Sequence, residues 1–320
     1  MDTIAPLPRR RPDYWPYVVL TFLVLQGMLY VIPHQRPGLA GAVCWLLGSD
    51  SGLWLIVTAG LALIALVACL RRRPVWNRWR AVGFAGLAAL VLSPMAFRVY
   101  PSSHENRPSQ VPFRLPFDGP ITVGWGGDTP DVNYHVCAAD QRWAYDLLVT
   151  QDGETHRGDG TKVEDYYCYG LPVLAPADGV VESFWDKDPD MAIGELGGGT
   201  DPGGNHIVLK VASREYLFLC HLQPGSLKVK PGDNVTAGQV VAAIGNSGNT
   251  SEPHLHIHLQ DTPDSTLGEG IPLYFHQYRV GDRLIDRGMP TGGITAEGFI
   301  GQIVEDAGPS VESNEADDRP

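Results

Sequence analysis

The stretch GNSGNTSEPHLHIHLQ, residues 245–260, ends in a strict alternation of polar and apolar side chains. This alternation predicts a β-strand whose aliphatic side chains face a core, while His254, His256 and His258 share the other face. Because residues two apart in a strand are separated by about 6.6 Å, His254 and His256 would flank one small site. A His-x-His pair also fits a polar strand face without a ligand, so further ligands must come from elsewhere in the chain.

Short runs rich in β-branched and aromatic residues surround this stretch, and Gly, Pro, Asn and Asp separate them. No amphipathic helical pattern of convincing length interrupts the runs. They predict an all-β domain, an antiparallel sandwich or half-open barrel, over residues 117–303. The runs are ITVGW, YDLLVT, PVLAPADGVVESFW, HIVLKVA, EYLFLCHL, QVVAAIG and HLHIHLQ.

The first 100 residues are strongly apolar and are predicted to form a membrane anchor. Apolar runs at residues 14–32, 53–70 and 81–97 each have the length needed to cross a hydrocarbon layer of about 30 Å. A cleaved signal peptide does not explain them, because the first run lacks a small-residue cleavage site and two more runs follow. The runs have no Asp, Glu or Lys in their middles, which favours an anchor of three α-helices over a sensor or transport unit.

The arginines predict the orientation of the anchor. Arg9, Arg10 and Arg11 precede the first run and five arginines lie between the second and third, whereas Arg36 is the only arginine around residues 34–52. Basic loops stay on the cytoplasmic side, so the chain after about residue 100 is expected outside. The whole chain has a net charge of −12 although its first 110 residues are basic, so the outer part is strongly acidic, which argues against a nucleic-acid partner.

Two segments of the outer part lack apolar periodicity. Residues 101–116, PSSHENRPSQVPFRLP, are rich in Pro and Ser and predict a linker. Residues 304–320 are acidic and predict a disordered tail. Disulfides are permitted outside the membrane, and a bridge between Cys137 and Cys168 is one pairing that the sequence allows, with Cys220 left over.

Two further residues are candidates for a hydrolytic metal site, which needs three protein ligands, an open position and a base. His221 ends the apolar run EYLFLCHL, where a strand delivers a side chain to the rim of a sheet. Asp146 closes QRWAYD before an apolar run, and a buried carboxylate there requires a metal or another partner. Each residue alone also fits a structural role. His206, at the start of HIVLKVA, is predicted to face solvent.

Four consecutive segments resemble the lysostaphin/LytM-type zinc metallopeptidases, which cut peptide bonds in bacterial cell walls. They occur in the order and approximate spacing of that family over roughly residues 120–275. The glycine-rich part also resembles biotinyl/lipoyl carrier domains, but it lacks the lysine that is modified in those carriers. The four segments are PVLAPADGVV, GNHIVL, YLFLCHL and VKPGDNVTAGQVVAAIGNSGNTSEPHLHIHL.

The resemblance implies a zinc cofactor and a role for four residues. Asp146 and His256 match metal ligands of the family. His254 matches the residue that acts on the catalytic water, and His221 matches the one that orients this water and stabilises the oxyanion. His258 has no matching role and is expected beside the site or in solvent.

One position departs from the family's His-x-x-x-Asp motif, because Arg142 stands four residues before Asp146. Arginine stays protonated and does not bind zinc at neutral pH. The resemblance of the NYH and QRWAYD segments to a distinct branch of the family favours His135 as the replacement ligand. Cys137 is an alternative ligand and Asp140 an alternative to Asp146, and a site without a third ligand also remains open.

The sequence therefore predicts a zinc endopeptidase in a bacterial cytoplasmic membrane, with its catalytic domain on the extracytoplasmic side and peptidoglycan peptides as substrate. The alternative is a catalytically impaired domain that binds or regulates cell-wall hydrolases. Retention of all four matched residues favours the enzyme, and Arg142 favours the alternative.

Overall fold

The computed structural model describes residues 13–72, 76–265, 267–295, 298–299 and 301–307. The chain divides into two compact units, Met1–Arg98 and Val99–Pro320, called here the anchor unit and the β unit. The anchor unit is helical, and the β unit consists of strands joined by loops and 3₁₀ turns.

Three helices among the described residues are long and apolar enough to span a membrane: Trp15–Gln35, Ser51–Arg71 and Arg78–Ala96. They coincide with the three predicted runs. Leu55, Ile56 and other large aliphatic residues stay exposed on their outer faces, as expected of helices that are apolar all round and face lipid. The α-helices are α1 (Trp15–Gln35), α2 (Leu39–Ser49), α3 (Ser51–Arg71) and α4 (Arg78–Leu92), and a 3₁₀ turn follows at Ser93–Ala96.

The loop expected around residues 34–52 contains helix α2, which the sequence analysis did not predict. With 11 residues, α2 is about 16 Å long and too short to cross a membrane. The side chain of Gln26 on α1 donates a hydrogen bond of 2.8 Å to the carbonyl of Gly48 in the last turn of α2. Contact with its neighbours therefore stabilises a helix too short to be stable alone.

The β unit contains fourteen strands within the described residues. The first seven are β1 (Ile121–Trp125), β2 (Tyr145–Leu148), β3 (Pro172–Leu174), β4 (Gly179–Trp185), β5 (His206–Ala212), β6 (Glu215–Cys220) and β7 (Asn234–Val235). The others are β8 (Val240–Ala243), β9 (Leu255–Gln260), β10 (Phe275–Val280), β11 (Arg283–Gly288), β12 (Ile294–Thr295), β13 (Gly298–Phe299) and β14 (Ile303–Asp306).

Ten of these strands form one sheet in the order β11-β10-β14-β1-β2-β9-β6-β5-β4-β7, and β3-β8 and β12-β13 form two small sheets. The ladders between the named strands are antiparallel. The prediction of an antiparallel all-β domain after three apolar helices is thus confirmed. Strand β9, which carries the histidine alternation, lies in the interior of the large sheet between β2 and β6.

The two faces of β9 differ in chemistry, as the alternation predicts, but both are buried. Leu255, Ile257 and Leu259 belong to the main hydrophobic core of the β unit. His256 and His258 on the opposite face are covered by other parts of the chain. Because these polar groups are removed from water, they need partners inside the protein.

Residues 101–116, predicted to be a linker, pack against the β unit. Phe113 and Leu115 are fully buried members of the core, and the Ser102 hydroxyl donates to the carbonyl of Gly270 at 3.0 Å. The Pro and Ser content typical of linkers concealed the alternating apolar side chains of VPFRL. This correction extends the sheet domain towards the N-terminus.

The C-terminal boundary also differs from the prediction of a disordered tail over 304–320. Residues 304–306 belong to β14, which pairs with β1 and β10 inside the large sheet. Val304 is buried in the core, and its acidic neighbours concealed this contribution. The remainder of the predicted tail, from residue 308, lies outside the described residues.

The cysteines, all within the described residues, form no disulfide. The thiol of Cys168 is buried and donates to the carbonyl of Pro253 at 3.0 Å. Cys137 is exposed, and its thiol donates to the carbonyl of Tyr134 at 3.3 Å. The pairing of Cys137 with Cys168 that the sequence allows is therefore not formed.

Candidate metal centre and active site

The pairing of β2 with β9 places Asp146 directly opposite His256. Opposite residues of an antiparallel pair project to the same face, where their side chains meet. The distance from Asp146 Oδ1 to His256 Nδ1 is 2.8 Å, although the residues lie 110 positions apart. Strand register thus creates the first contact of the site.

His135 reaches the same place from a 3₁₀ turn, Tyr134–Cys137. Its Nε2 lies 3.5 Å from Asp146 Oδ2, and its ring centroid lies 4.9 Å from that of His256. One potential ligand atom from each of His135, Asp146 and His256 lies within 4.8 Å of the others, and all three residues are buried.

Asn133 sets the proton position on His135. The Asn133 amide nitrogen donates to the carbonyls of Gly127 at 2.8 Å and Ala144 at 3.0 Å. Its oxygen therefore faces His135 and accepts from the backbone N–H at 3.1 Å and from ring Nδ1 at 2.9 Å. A neutral His135 ring then presents an Nε2 lone pair to the cluster.

This donor set fits a zinc ion. Two imidazoles and a carboxylate are a ligand set of catalytic zinc sites, which keep a fourth position for water or substrate. The buried carboxylate of Asp146 also needs compensation, which a cation supplies. His135, Asp146 and His256 are thus the residues that could hold the metal.

His254 stands at the edge of this cluster. Its Nδ1 lies 2.8 Å from the carbonyl oxygen of Glu252, and because a carbonyl only accepts, Nδ1 carries the proton. The other ring nitrogen, Nε2, lies 3.6 Å from Asp146 Oδ1. In the neutral ring this atom has a lone pair and is able to take a proton.

His221 follows β6 with a left-handed backbone, at φ 63°. This conformation is uncommon outside glycine, and the His221 N–H donates to the carbonyl of Gly203 at 2.9 Å. Its ring Nδ1 donates to the carbonyl of Ser247 at 2.8 Å. Nε2 of a neutral His221 is therefore an acceptor, so the expected donation to an oxyanion would require a second proton on the ring.

The charges in the cluster shift its pKa values. Burial alone would raise the pKa of Asp146, but His135, His254 and His256 outweigh burial and hold it well below its usual range. Burial lowers the pKa of His135 to about 3, against the attraction of Asp146. Burial also lowers the pKa of His221 well below its ordinary value. His135 and His221 are therefore neutral at physiological pH, as a metal ligand and a hydrogen-bond acceptor must be.

Arg142, which occupies the family's ligand position, points away from the cluster. Its Nη1 donates to the carbonyl of Tyr100 at 2.7 Å, and Nε and Nη2 lie 3.2 and 3.1 Å from Asp128 Oδ1. Its guanidinium stacks over the Trp143 ring at 4.4 Å from the centroid. Arg142 therefore holds the start of the β unit in place. Neither alternative ligand, Cys137 nor Asp140, belongs to the cluster of three.

Two cavities, of about 170 and 370 Å³, adjoin the cluster, and both are lined by Tyr134, His221 and Asn249. The Tyr134 hydroxyl donates to Asp146 Oδ2 at 3.3 Å. Burial, and then the charge of Asp146, raise the pKa of Tyr134, so the phenol keeps its proton. The cavities provide room for a substrate chain on more than one side of the cluster.

The sequence did not predict Asn133 or Gln260 near the cluster, and it left two positions open for His258. His206, expected in solvent, is buried and bonds the carbonyl of Gly204 through Nδ1 at 2.8 Å. His258 is buried as well and contacts His256. The period of two along β9 was a sequence signal that His258 and Gln260 share a face with His256. For Asn133, the only signal was its position two residues before His135, which is a weaker indication.

Comparison with known proteins finds that residues 159–266 match peptidase family M23. His221, His254 and His256 lie inside the matched segment, whereas His135 and Asp146 precede it. The matched segment therefore includes strand β9 with His256. The assignment of His135 and Asp146 to the cluster comes from the structure.

Three similar solved structures have 20% sequence identity with this chain over the aligned parts. A mutant catalytic domain of the prophage-encoded M23 protein EnpA from Enterococcus faecalis has 20% identity over 50% of this chain and 94% of its own, with a TM-score of 0.33. The catalytic domain of the antimicrobial peptidase lysostaphin from Staphylococcus simulans has 20% identity over 47% and 86%, with a TM-score of 0.29. A zinc containing peptidase from Vibrio cholerae has 20% identity over 51% of this chain and 39% of its own, with a TM-score of 0.30.

Proposed function

From the match of residues 159–266 to peptidase family M23, we propose that the chain is a membrane-anchored zinc metalloendopeptidase that cleaves peptide cross-links or stem peptides of bacterial peptidoglycan. The observation that carries the proposal is the convergence of His135, Asp146 and His256 within 4.8 Å. The substrate class follows from the resemblance of the sequence to cell-wall peptidases. The arginine distribution supports an extracytoplasmic β unit in the cytoplasmic membrane.

His135, Asp146 and His256 would hold the zinc ion. When bound, zinc supplies Lewis acidity, which polarises a peptide carbonyl and acidifies a water molecule. The carboxylate of Asp146 balances the charge of the ion, and the two imidazoles offer neutral lone pairs. The burial of all three residues limits their contact with bulk water.

The proton transfers belong to the residues at the edge of the cluster. His254, whose Nδ1–H is bonded to the Glu252 carbonyl, would take the proton of the attacking water on Nε2 and pass it to the nitrogen of the leaving amine. His221, whose Nδ1–H is bonded to the Ser247 carbonyl, accepts a second hydrogen bond from that water and orients it. Tyr134 keeps its phenol proton, and this single O–H, which Asp146 Oδ2 accepts in the structure, would turn to the developing oxyanion.

The cavities beside the cluster suit an extended peptide. Small residues such as Gly or Ala would allow the scissile backbone to approach between Tyr134 and His221, which line both cavities. We therefore expect substrates in which the residues flanking the cleaved bond have small side chains.

The alternative, an impaired regulatory domain, drew its support from Arg142. Since Arg142 is bonded to the Tyr100 carbonyl and Asp128, its presence does not by itself leave the cluster short of a ligand. His135 supplies a third donor from another element. This arrangement supports the enzyme over the regulator.

Zinc content and digestion of purified peptidoglycan by the full-length chain in detergent test the proposal. The wild-type chain should hold about one equivalent of zinc and release fragments with new peptide amino termini. His135→Ala should lose both properties, whereas His276→Ala, on strand β10 outside the cluster, should keep them. A wild-type zinc content below about half an equivalent, unchanged in His135→Ala, would contradict the proposed site.

A further inference from the structure

A row of polar side chains continues from His256 along the same face of β9. His256 Nε2 lies 3.0 Å from His258 Nδ1, and His258 Nε2 lies 3.3 Å from Gln260 Oε1. The three residues are 6%, 3% and 0% exposed. Each of these ring nitrogens therefore has a partner within the protein, and the direction of each hydrogen bond is set by its neighbour.

The amide of Gln260 sets the direction at the far end of the row. Its Nε2 lies 2.8 Å from the carbonyl oxygen of Thr262 and 2.5 Å from that of Asp264. Carbonyls only accept, so this atom is the donor NH₂ group and Oε1 faces His258. His258 must then donate from Nε2, which leaves Nδ1 of its neutral ring as an acceptor.

The same reasoning reaches His256 one step further along. Its Nε2 has to donate to His258 Nδ1, so the lone pair of a neutral His256 ring lies on Nδ1. This is the atom 2.8 Å from Asp146 Oδ1. A lone pair and a carboxylate oxygen repel at that distance unless a positive charge lies near both. The row thus favours a cation shared by His256 and Asp146.

We propose that His258 and Gln260 are positioning residues that hold His256 with its proton on Nε2, so that Nδ1 is available to zinc. The inference rests on the proposed function in taking zinc as the cation. Phe218 on β6 stacks on the His258 ring, with centroids 4.7 Å apart and planes at 10°. A Cβ at Gly268 would lie 2.7 Å from Cδ of Gln260, so the loop closely packs against the amide.

The first test is the affinity of the full-length chain for Zn²⁺, measured in detergent by competition with a chelator. His258→Phe keeps a ring against Phe218 but removes the acceptor, and should weaken zinc binding about 10- to 100-fold. His258→Asn returns a polar acceptor near the position of Nδ1, and should bind zinc about tenfold more tightly than His258→Phe. His276→Phe, the same substitution on strand β10 and outside the cluster, should bind zinc as the wild type does.

The second test is nitrogen NMR of the zinc-loaded wild-type chain with labelled histidine. The His258 ring should carry its proton on Nε2, and Gln260→Leu should remove this preference. A proton on Nδ1 of His258, or equal zinc affinity for wild type and a folded His258→Phe, would overturn the inference. If His258→Phe does not fold, the wild-type spectrum decides. A wild-type chain that binds zinc but leaves peptidoglycan intact overturns the proposed function alone.

Discussion

Asp146 is the residue on which the site converges, because its two oxygens face His135, His254, His256 and the Tyr134 hydroxyl. A buried carboxylate with three imidazole rings around it is a site that attracts a cation. The exposure of the rings separates two roles, because His135 and His256 are buried and His254 is partly exposed. His256 and His135 approach Asp146 from positions fixed by other hydrogen bonds, whereas His254 stands at the edge, where a water would be reached.

Replacement of His254 should separate metal binding from proton transfer. We expect His254→Ala to keep its zinc content and to lose peptidase activity about 10²- to 10⁴-fold, the usual contribution of a general base. Metal analysis and peptidoglycan digestion on the same sample check this. Loss of zinc together with activity would instead assign His254 to the ligand set.

Acid should destabilise the metal-free β unit through its buried histidines. The pKa of His135 falls from 6.5 to about 3 because of burial, so between these values the unfolded chain binds a proton that the folded chain does not. The stabilising contribution is therefore complete above about pH 6.5 and is lost as the pH falls towards about 3, with a slope of about 1.4 kcal/mol per pH unit for each such ring.

Pulse proteolysis of the full-length chain in urea, with chelator present, measures this dependence between pH 7.5 and 5. Burial lowers the pKa of His221 and His258 in the same direction, so the slopes add. His258→Phe removes one titrating ring and should show a shallower slope than the wild type. A free energy of unfolding that stays constant over this range would contradict the burial argument.

At the scale of elements, Gly204 and Gly248 pack closely against each other. This packing positions the Ser247 carbonyl that binds the His221 ring. Gly204 has φ 58°, and a Cβ there would lie 2.2 Å from the carbonyl oxygen of Ser247, which accepts the His221 Nδ1–H. A Cβ at Gly248 would in turn lie 2.3 Å from the Gly204 nitrogen. The absence of side chains here allows Ser247 to face His221.

Gly204→Ala should therefore impair both stability and catalysis. We expect the left-handed backbone to cost about 1–2 kcal/mol and the clash with Ser247 about 1–3 kcal/mol more. Gly225→Ala is a matched control, because Gly225 also has a positive φ, of 69°, but has no atom within 4 Å of the added Cβ. Urea midpoints of the two variants measure the difference, and equal midpoints would argue against the clash.

At the scale of the whole molecule, the proposal requires the β unit to lie on the extracytoplasmic side of the membrane. Cys137 is exposed, whereas Cys168 and Cys220 of the same unit are buried. A membrane-impermeant maleimide added to spheroplasts at pH 8 should label Cys137, and Cys137→Ser should abolish most of the labelling. Labelling only after lysis would place the β unit in the cytoplasm and reverse the orientation.

The sequence by itself determined the features that repeat locally. Continuous apolar runs identify the three long helices, since each run satisfies its own backbone hydrogen bonds and needs no distant partner. The period of two along β9 assigns His254, His256 and His258 to one face, because alternation of side chains is a local property of a strand. The antiparallel β class follows from the short runs and the turn residues between them.

Only the tertiary structure decided which distant residues meet. Asp146 faces His256 because of strand register, and Arg142 turns towards Tyr100 and Asp128 while His135 enters from a 3₁₀ turn. Loop conformation and the pairing of strands far apart in sequence leave no local pattern. For the same reason burial of the polar face of β9, which decides between the two positions expected for His258 and places it against His256, became visible only in the fold.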